Sequence, residues 1–240
     1  MTRQTSAFEA RCSTSDGVRV AAVIPALNEA NAIAAVVEGI RTFVERVIVV
    51  DDGSEDATGE RARAAGAEVL RHDRNAGKGH AVRTGLQRVM EGGFTHVLLL
   101  DGDMQHLPQE AAQLIRTAAD SGADAVLGER RFFRENMPAS RYHANRLGSV
   151  VLSWFIGVRL RDTQCGFRIF RLDSLRRLRL RATGYEIETE MLVKVTRRGG
   201  RLASVPITAV YASERSKLRP VRDTTRTCFL AVYYRFLERV

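Results

Sequence analysis

The chain has 240 residues, 45% of them hydrophobic, which is enough for one sizeable core and too few for two, so a single domain is expected. Its net charge of +9 is unevenly spread: residues 1–129 carry 13 basic and 19 acidic side chains, a net −6, while residues 130–240 carry 24 and 9, a net +15. The longest apolar run, Val150 to Val158, is less than half of the roughly 18–20 residues a spanning helix needs, and Cys12, Cys165 and Cys228 are too scattered for a disulfide framework or a zinc site.

Residues 1–17 are polar and lack an apolar signal-peptide core, so they read as a disordered lead and the chain as cytoplasmic. From Val18 short apolar runs alternate with stretches of helical period, the pattern of an α/β fold with a Rossmann-like, mostly parallel sheet flanked by helices. Strands are expected at 18–24, 46–50, 68–71, 95–100 and 124–128. Helices are expected at 29–43, 57–65, 78–91 and 108–121. In the third helix Val82, Leu86, Val89 and Met90 share one face, which should pack on the sheet. Residues 130–147 turn basic and aromatic around Pro138. After them the pattern predicts a helix over 140–157, an irregular DTQCGFRIFR stretch, a helix over 186–198, a strand at 202–205 and an amphipathic helix within 222–240.

Ligands of open parallel sheets bind beyond the carboxyl ends of the strands, and here every early strand ends in polar residues. The first runs into Pro25-Ala26-Leu27-Asn28-Glu29, the second into Asp51-Asp52-Gly53-Ser54, the third leads to Asn75-Ala76-Gly77-Lys78-Gly79, and the fourth gives Asp101-Gly102-Asp103-Met104-Gln105-His106. Asp101 and Asp103, one residue apart after an apolar strand, crowd negative charge that a divalent cation would neutralise, and hard oxygens select Mg²⁺ or Mn²⁺. The same D-G-D also suits a plain turn. Asp52 is expected to accept from a base or ribose, with Ser54 or Asp56 capping the next helix. Lys78, between two glycines at a helix start, suits a diphosphate, although His72 and Gly79 break the Walker pattern.

The series IPALNE (24–29), VVDDGSEDAT (49–58), NAGKGHAVRTG (75–85), LDGDMQH (100–106), DTQCGFRIFR (162–171), GYEIETEML (184–192) and SKL (216–218) resembles glycosyltransferase family 2, in particular its dolichol-phosphate mannose synthase and polyprenyl-phosphate branch. The resemblance covers nearly everything after Val18. It implies a GT-A fold, inverting transfer of a hexose from a GDP- or UDP-sugar, and a polyprenyl phosphate acceptor. Residues 18–129 would be the nucleotide-sugar half and 130–221 the acceptor half. The donor set would be Pro25, Ala26, Leu27, Asn28, Glu29, Asp51, Asp52, Gly53, Lys78, Gly79, Asp101 and Gly102, with Asp101, Asp103 and Gln105 on the metal. Arg130 and Arg141 would face the acceptor phosphate or the diphosphate, and Arg215 and Lys217 would sit on a loop closing over the donor. That loop, Glu214-Arg215-Ser216-Lys217-Leu218, departs from the branch in being shorter, and Glu129-Arg130-Arg131 stands where Ser-Arg is commoner.

A phosphomonoester is already a dianion near neutral pH and needs cations rather than a general base, which suits the +15 half. The stripe Leu147, Val150, Val151, Trp154, Phe155 and Val158 would lie in a lipid headgroup region or form a core face. Glu186, Glu188 and Glu190 suit a helix start by charge alone; with a saccharide hydroxyl as acceptor, one of them or Asp162 would be the base. His106 is expected to support the rim without ligating metal, and Cys165 to pack near the acceptor. Two alternatives stand: a family 2 enzyme with a saccharide acceptor, and a non-enzymatic basic module on membrane or nucleic acid. No nucleic-acid motif favours the last. Peripheral attachment to the cytoplasmic face of the membrane is expected, with Phe229, Leu230, Tyr233, Phe236 and Leu237 serving it or a homodimer.

Overall fold

The computed structural model describes residues 17–130, 149–150, 152–154, 157–158, 160, 162–163, 165–208 and 233. The lead at 1–16, most of the expected 140–157 helix, the loop bearing Arg215 and Lys217, and the C-terminal helix lie outside these residues, as does Arg141.

In chain order the elements are β1 (Val20–Ala26), α1 (Ile33–Ile40), β2 (Arg46–Asp51), α2 (Thr58–Ala64), β3 (Glu68–Arg71), α3 (Lys78–Met90) and β4 (His96–Leu99). They continue with a 3₁₀ turn (Pro108–Glu110), α4 (Ala111–Ser121), β5 (Ala125–Arg130), β6 (Arg168–Arg171), α5 (Leu172–Arg176), α6 (Ile187–Arg197) and β7 (Leu202–Ile207). The seven strands form one sheet in the order β3-β2-β1-β4-β6-β5-β7. β1 to β4 are mutually parallel, β6 runs antiparallel to both β4 and β5, and β7 is parallel to β5.

Alternation along the strands explains why the sheet is covered on both sides. Val20, Ala22, Ile24, Leu98 and Leu100 share one face with the apolar residues of α1 and α4, such as Ile33, Val37, Leu114 and Ile115. Ala21, Val23, Val97 and Leu99 point the other way, onto Val82, Leu86 and Val89 of α3 and Ile187, Met191 and Val195 of α6. Both faces of β1 are buried, which is why it reads as a continuous apolar run rather than as an alternating one. The expected face of α3 is the packed one, with Met90 at its margin.

Three elements differ from expectation. The expected 29–43 helix is regular only over Ile33–Ile40; in the turn before it Glu29 O already accepts from Ile33 N at 2.9 Å, while Glu29 N and Ala30 N, without acceptors inside the helix, donate to Thr58 Oγ1 at 2.8 Å and Asp56 Oδ2 at 3.2 Å. The DTQCGFRIFR stretch, read as irregular, ends in β6, an interior strand. Its Arg168 is fully buried by hydrogen bonds to carbonyls, so the alternation that marks a strand is disguised by an inward-facing charge. The short α5 that follows was not anticipated either.

Candidate active site

The carboxyl ends of β1, β2 and β4 open onto a cleft of about 550 Å³, bounded across from them by Arg130 at the end of β5 and by Gly184 and Tyr185 ahead of α6. Pro25, Ala26, Leu27, Asn28 and Glu29 line it from β1. Asn28 adopts φ 53° and laces the first two loops together: its backbone N–H donates to Ser54 Oγ at 3.0 Å while its side-chain Oδ1 accepts from Glu55 N at 2.9 Å. Ser54 is therefore occupied, and it is Asp56 that accepts from Thr58 N at the start of α2.

The adjacent carboxylates of β2 part company. Asp52 lines the cleft, and its oxygens accept from His72 Nδ1 at 2.7 Å, Ala76 N at 3.0 Å and Gly77 N at 2.8 Å, so it shapes the loop entering α3 and retains little capacity for further donors. Asp51 points away, fully buried, and accepts from Ser54 N and Arg71 Nη1. Gly53 and Gly79 also stand behind the rim instead of on it. At Gly79 a side chain would meet the Ala182 carbonyl at 2.4 Å, because here the start of α3 touches the Ala182–Thr183 backbone and donates to Thr183 O at 2.8 Å. Of the twelve residues expected to hold the donor, Asp51, Gly53 and Gly79 are thus wall-builders in this structure.

Asp101, Gly102, Asp103, Gln105 and His106 all line the cleft. Met104, at φ 59°, reverses the chain so that Asp103 Oδ1 accepts from Gln105 N at 3.1 Å, which is the turn geometry that D-G-D also predicted. The chain approaches Asp101 from behind at Gly166, where a Cβ would lie 2.5 Å from Asp101 Oδ2; only glycine lets the DTQCG segment come that close. Burial, then the charge of Asp101, pushes the Asp103 carboxyl up to about 6. A carboxylate held in that state by a negative neighbour suits a cation. Among the described residues no three His, Cys, Asp or Glu side chains gather as a complete metal site. Asp101 and Asp103 supply two hard carboxylates on the cleft, which fits an ion that completes its shell with water and phosphate oxygens.

Lys78, the first residue of α3, enters the same cleft. Its Nζ lies 2.6 Å from Asp101 Oδ1 and 2.7 Å from Glu188 Oε1, with the Tyr185 ring 5.4 Å away. Burial alone would lower the ammonium's pKa, but the two carboxylates outweigh it and raise it. Asp101 is in turn held below the usual carboxylate range, because the Lys78 charge overcomes its own burial. Behind Glu188 sits Arg168, whose Nη2 is 3.6 Å from Glu188 Oε2 and whose Nη1 donates to the Glu188 carbonyl at 3.1 Å. Arg168, Glu188, Lys78 and Asp101 thus form a run of alternating charge from the core to the rim.

Arg130 faces the cleft while its guanidinium forks onto Asp162, Nε to Oδ2 at 2.6 Å and Nη2 to Oδ1 at 3.1 Å. Asp162 is fully buried, so it is closed to a sugar hydroxyl as a base. Glu188 is held between two cations. Glu186 accepts from Gly184 N, and Glu190 from Arg181 N, Ala182 N and Lys194 Nζ. The three glutamates do more than suit the helix start: each fixes a different piece of chain. His106 is buried, stacked on Phe167 and 3.9 Å from Cys165 Sγ, and burial brings its pKa down to about 4, so the ring is neutral. Cys165, fully buried, has its thiol pushed up to about 12 by desolvation.

Sequence reasoning gave no role to Gly184, Tyr185, Arg168 or His72, which surround or brace the cleft. For all but His72 the only signal was the GYEIETE and DTQCGFRIFR motifs themselves, since nothing in their spacing shows that α6 packs against α3 or that Arg168 of β6 meets Glu188.

Comparison with known proteins fits this geometry. The model of glycosyl transferase family 2 matches residues 21–179, more than half of the chain. The chain belongs to that family. An undecaprenyl-phosphate mannosyltransferase of Micrococcus luteus is 32% identical over 206 residues, 80% of this chain and 84% of the relative. A UDP-N-acetylglucosamine–dolichyl-phosphate N-acetylglucosaminyltransferase of Methanococcus voltae is 28% identical over 240 residues, 90% and 93%. Among solved structures, glucosyl-3-phosphoglycerate synthase from Mycobacterium tuberculosis in complex with Mn²⁺, UDP and glucosyl-3-phosphoglycerate superposes with a TM-score of 0.72 at 24% identity, covering 95% of this chain and 81% of its own. The family 2 chain thus has the GT-A fold, and none of its described helices is long and apolar enough to cross a membrane.

Proposed function

We propose that this family 2 chain transfers a hexose, with inversion, from a GDP- or UDP-sugar to a polyprenyl phosphate, using Mg²⁺ or Mn²⁺ at Asp101, Asp103 and Gln105. The observation that carries the choice of acceptor is the state of the carboxylates across the cleft. Asp162 is forked by Arg130, and Glu188 is clamped between Lys78 and Arg168. The two side chains best suited to deprotonate a sugar hydroxyl are committed to cations, whereas a phosphate nucleophile needs no base. Relatives that act on undecaprenyl phosphate and dolichyl phosphate support the same reading.

The residues then have distinct tasks. Pro25 to Glu29 form the nucleoside wall, and Asp52, by fixing Ala76 and Gly77, sets the loop on which the diphosphate rests. Asp101 and Asp103 hold the ion, which when bound supplies Lewis-acid stabilisation of the departing nucleoside diphosphate. Arg130 presents positive charge to the acceptor side, and Arg141, Arg215 and Lys217 would add to it. Contact with the membrane is served by Val150 and Trp154, which are 60% and 75% exposed and lie four residues apart on helical chain, while Leu152 between them is buried. The described members of the apolar stripe, Val150, Trp154 and Val158, are thus all exposed, and the buried Leu152 lies outside it.

The test is transfer of label from GDP-mannose, UDP-glucose or UDP-N-acetylglucosamine to undecaprenyl phosphate with Mn²⁺, read as organic-extractable counts. Asp103→Asn should lower that rate by about 10³-fold, the several kcal/mol that a bound metal contributes. Label passing only to soluble saccharides, or an Asp103→Asn protein as fast as wild type, overturns the reading.

A further inference from the structure

We infer that Lys78 is a built-in counter-ion that competes with the divalent cation for Asp101, so that the metal binds firmly only together with the donor's diphosphate. The inference rests on the reading of Asp101 and Asp103 as the cation site, and concerns what that site does before the donor arrives.

Three features of the structure lead to it. First, the ammonium lies 2.6 Å from Oδ1 of Asp101, a carboxylate that would hold the ion, and a unit charge there repels a second cation strongly in a partly desolvated cleft. Secondly, the backbone beneath Lys78 is fixed. Gly77 N is tied to Asp52 Oδ2 at 2.8 Å and Gly79 N to Thr183 O at 2.8 Å, so only the flexible side chain can move. Thirdly, the ammonium has a second anchor 2.7 Å away in Glu188, which Arg168 holds in place from the core. On leaving Asp101, Lys78 remains paired with Glu188, and no buried charge is left bare, which would otherwise make the exchange costly. A diphosphate entering the cleft supplies the missing anions for both cations at once.

The consequence is thermodynamic coupling: nucleotide should raise metal affinity and metal should raise nucleotide affinity by the same factor. Without Lys78 the metal should no longer wait for the nucleotide. Because removing Lys78 takes from Glu188 the nearer of its two cations, a double variant is paired with the single one.

Mn²⁺ titrations of the full chain, followed by electron paramagnetic resonance with and without UDP or GDP, test this. Lys78→Met and Lys78→Met/Glu188→Gln are expected to bind Mn²⁺ alone at least tenfold more tightly than wild type, and the enhancement of Mn²⁺ binding by nucleotide should shrink at least tenfold. Lys78→Arg, which keeps the charge, should behave like wild type. The inference is overturned if both neutral variants, shown by thermal melts to be folded, bind Mn²⁺ alone no more tightly than wild type. If Asp101→Asn/Asp103→Asn binds Mn²⁺ and nucleotide as wild type does, the metal site itself is misplaced and the inference falls with it, an outcome distinct from the first.

Discussion

The two halves of the chain meet in one cleft but are held by different forces. Up to Glu129, the net −6 half, loops at the ends of parallel strands are laced by uncharged or singly charged side chains that accept from backbone N–H groups: Asp51 from Ser54, Asp52 from Ala76 and Gly77, Asn28 from Glu55. Beyond it, the net +15 half stores part of its charge inside, in the pairs Arg130–Asp162, Arg168–Glu188 and Lys194–Glu190. The first arrangement ties the loop after one parallel strand to the loop after the next, with Asp51 alone acting inside its own turn. In the second, Arg130–Asp162 and Arg168–Glu188 tie strand residues to other segments while Lys194–Glu190 spans one helical turn, and a buried pair of this kind specifies a geometry more than it adds stability. These three pairs sum to zero, so the basic excess of this half lies outside them, and the paired charges are an internal scaffold.

The comparison can be broken most directly at Arg168. Its side chain donates to the carbonyls of Cys165, Thr163 and Glu188 and pairs with the Glu188 carboxylate, with no exposure to solvent. Arg168→Met removes a buried cation from around a buried carboxylate, and urea unfolding should show a loss of about 3–5 kcal/mol. A loss below about 1 kcal/mol would mean that packing, and not the ion pair, holds the second half.

The same contrast decides what could be read in advance. The parallel core was legible because β1, β2 and β4 are apolar runs ended by polar residues, and the site lies where such strands end. Asp101, Asp103, Gln105 and the Pro25–Glu29 wall were placed on the cleft by that rule alone. Arg168 defeated it, since a charge at the head of a four-residue strand conceals both the strand and its burial. Glu188 defeated it too: a glutamate in the first turn of a helix already has an electrostatic explanation, and only the fold shows it touching Lys78, 110 positions earlier in the chain. Asp51 and Asp52 were a pair in the sequence, yet strand alternation turns one to the cleft and the other to Arg71.

Where the halves touch backbone to backbone, at Gly79 and Thr183, a smaller effect is expected. In Gly79→Ala the new methyl would lie 2.4 Å from the Ala182 carbonyl, with backbone on both sides of the clash. Overpacking of this kind should cost about 1–3 kcal/mol in thermal or urea unfolding. Nucleotide affinity should fall along with it, because the start of α3 carries Lys78 into the cleft. An alanine that costs nothing would show that the seam is loose enough for the halves to part.

The smallest effect is a matter of pH, and it sits on the sheet seam itself. His96 of β4 is paired in register with Arg171 of β6, and its Nε2 is buried without a hydrogen-bond partner among the described residues. Burial first, and then the Arg171 charge, lowers its pKa from 6.5 to about 4. The unfolded chain therefore takes up this proton more readily than the folded one. The stability due to the neutral ring is fully present above pH 6.5 and is lost as pH falls towards 4, with a swing on the order of 1–2 kcal/mol. His96→Gln, which cannot titrate, should flatten that acid limb in urea melts taken across the interval, leaving the neutral-pH midpoint within about 1 kcal/mol of wild type. If the limb keeps its slope in the variant, acid sensitivity arises elsewhere, and the join between the two halves is indifferent to a charge placed beside Arg171.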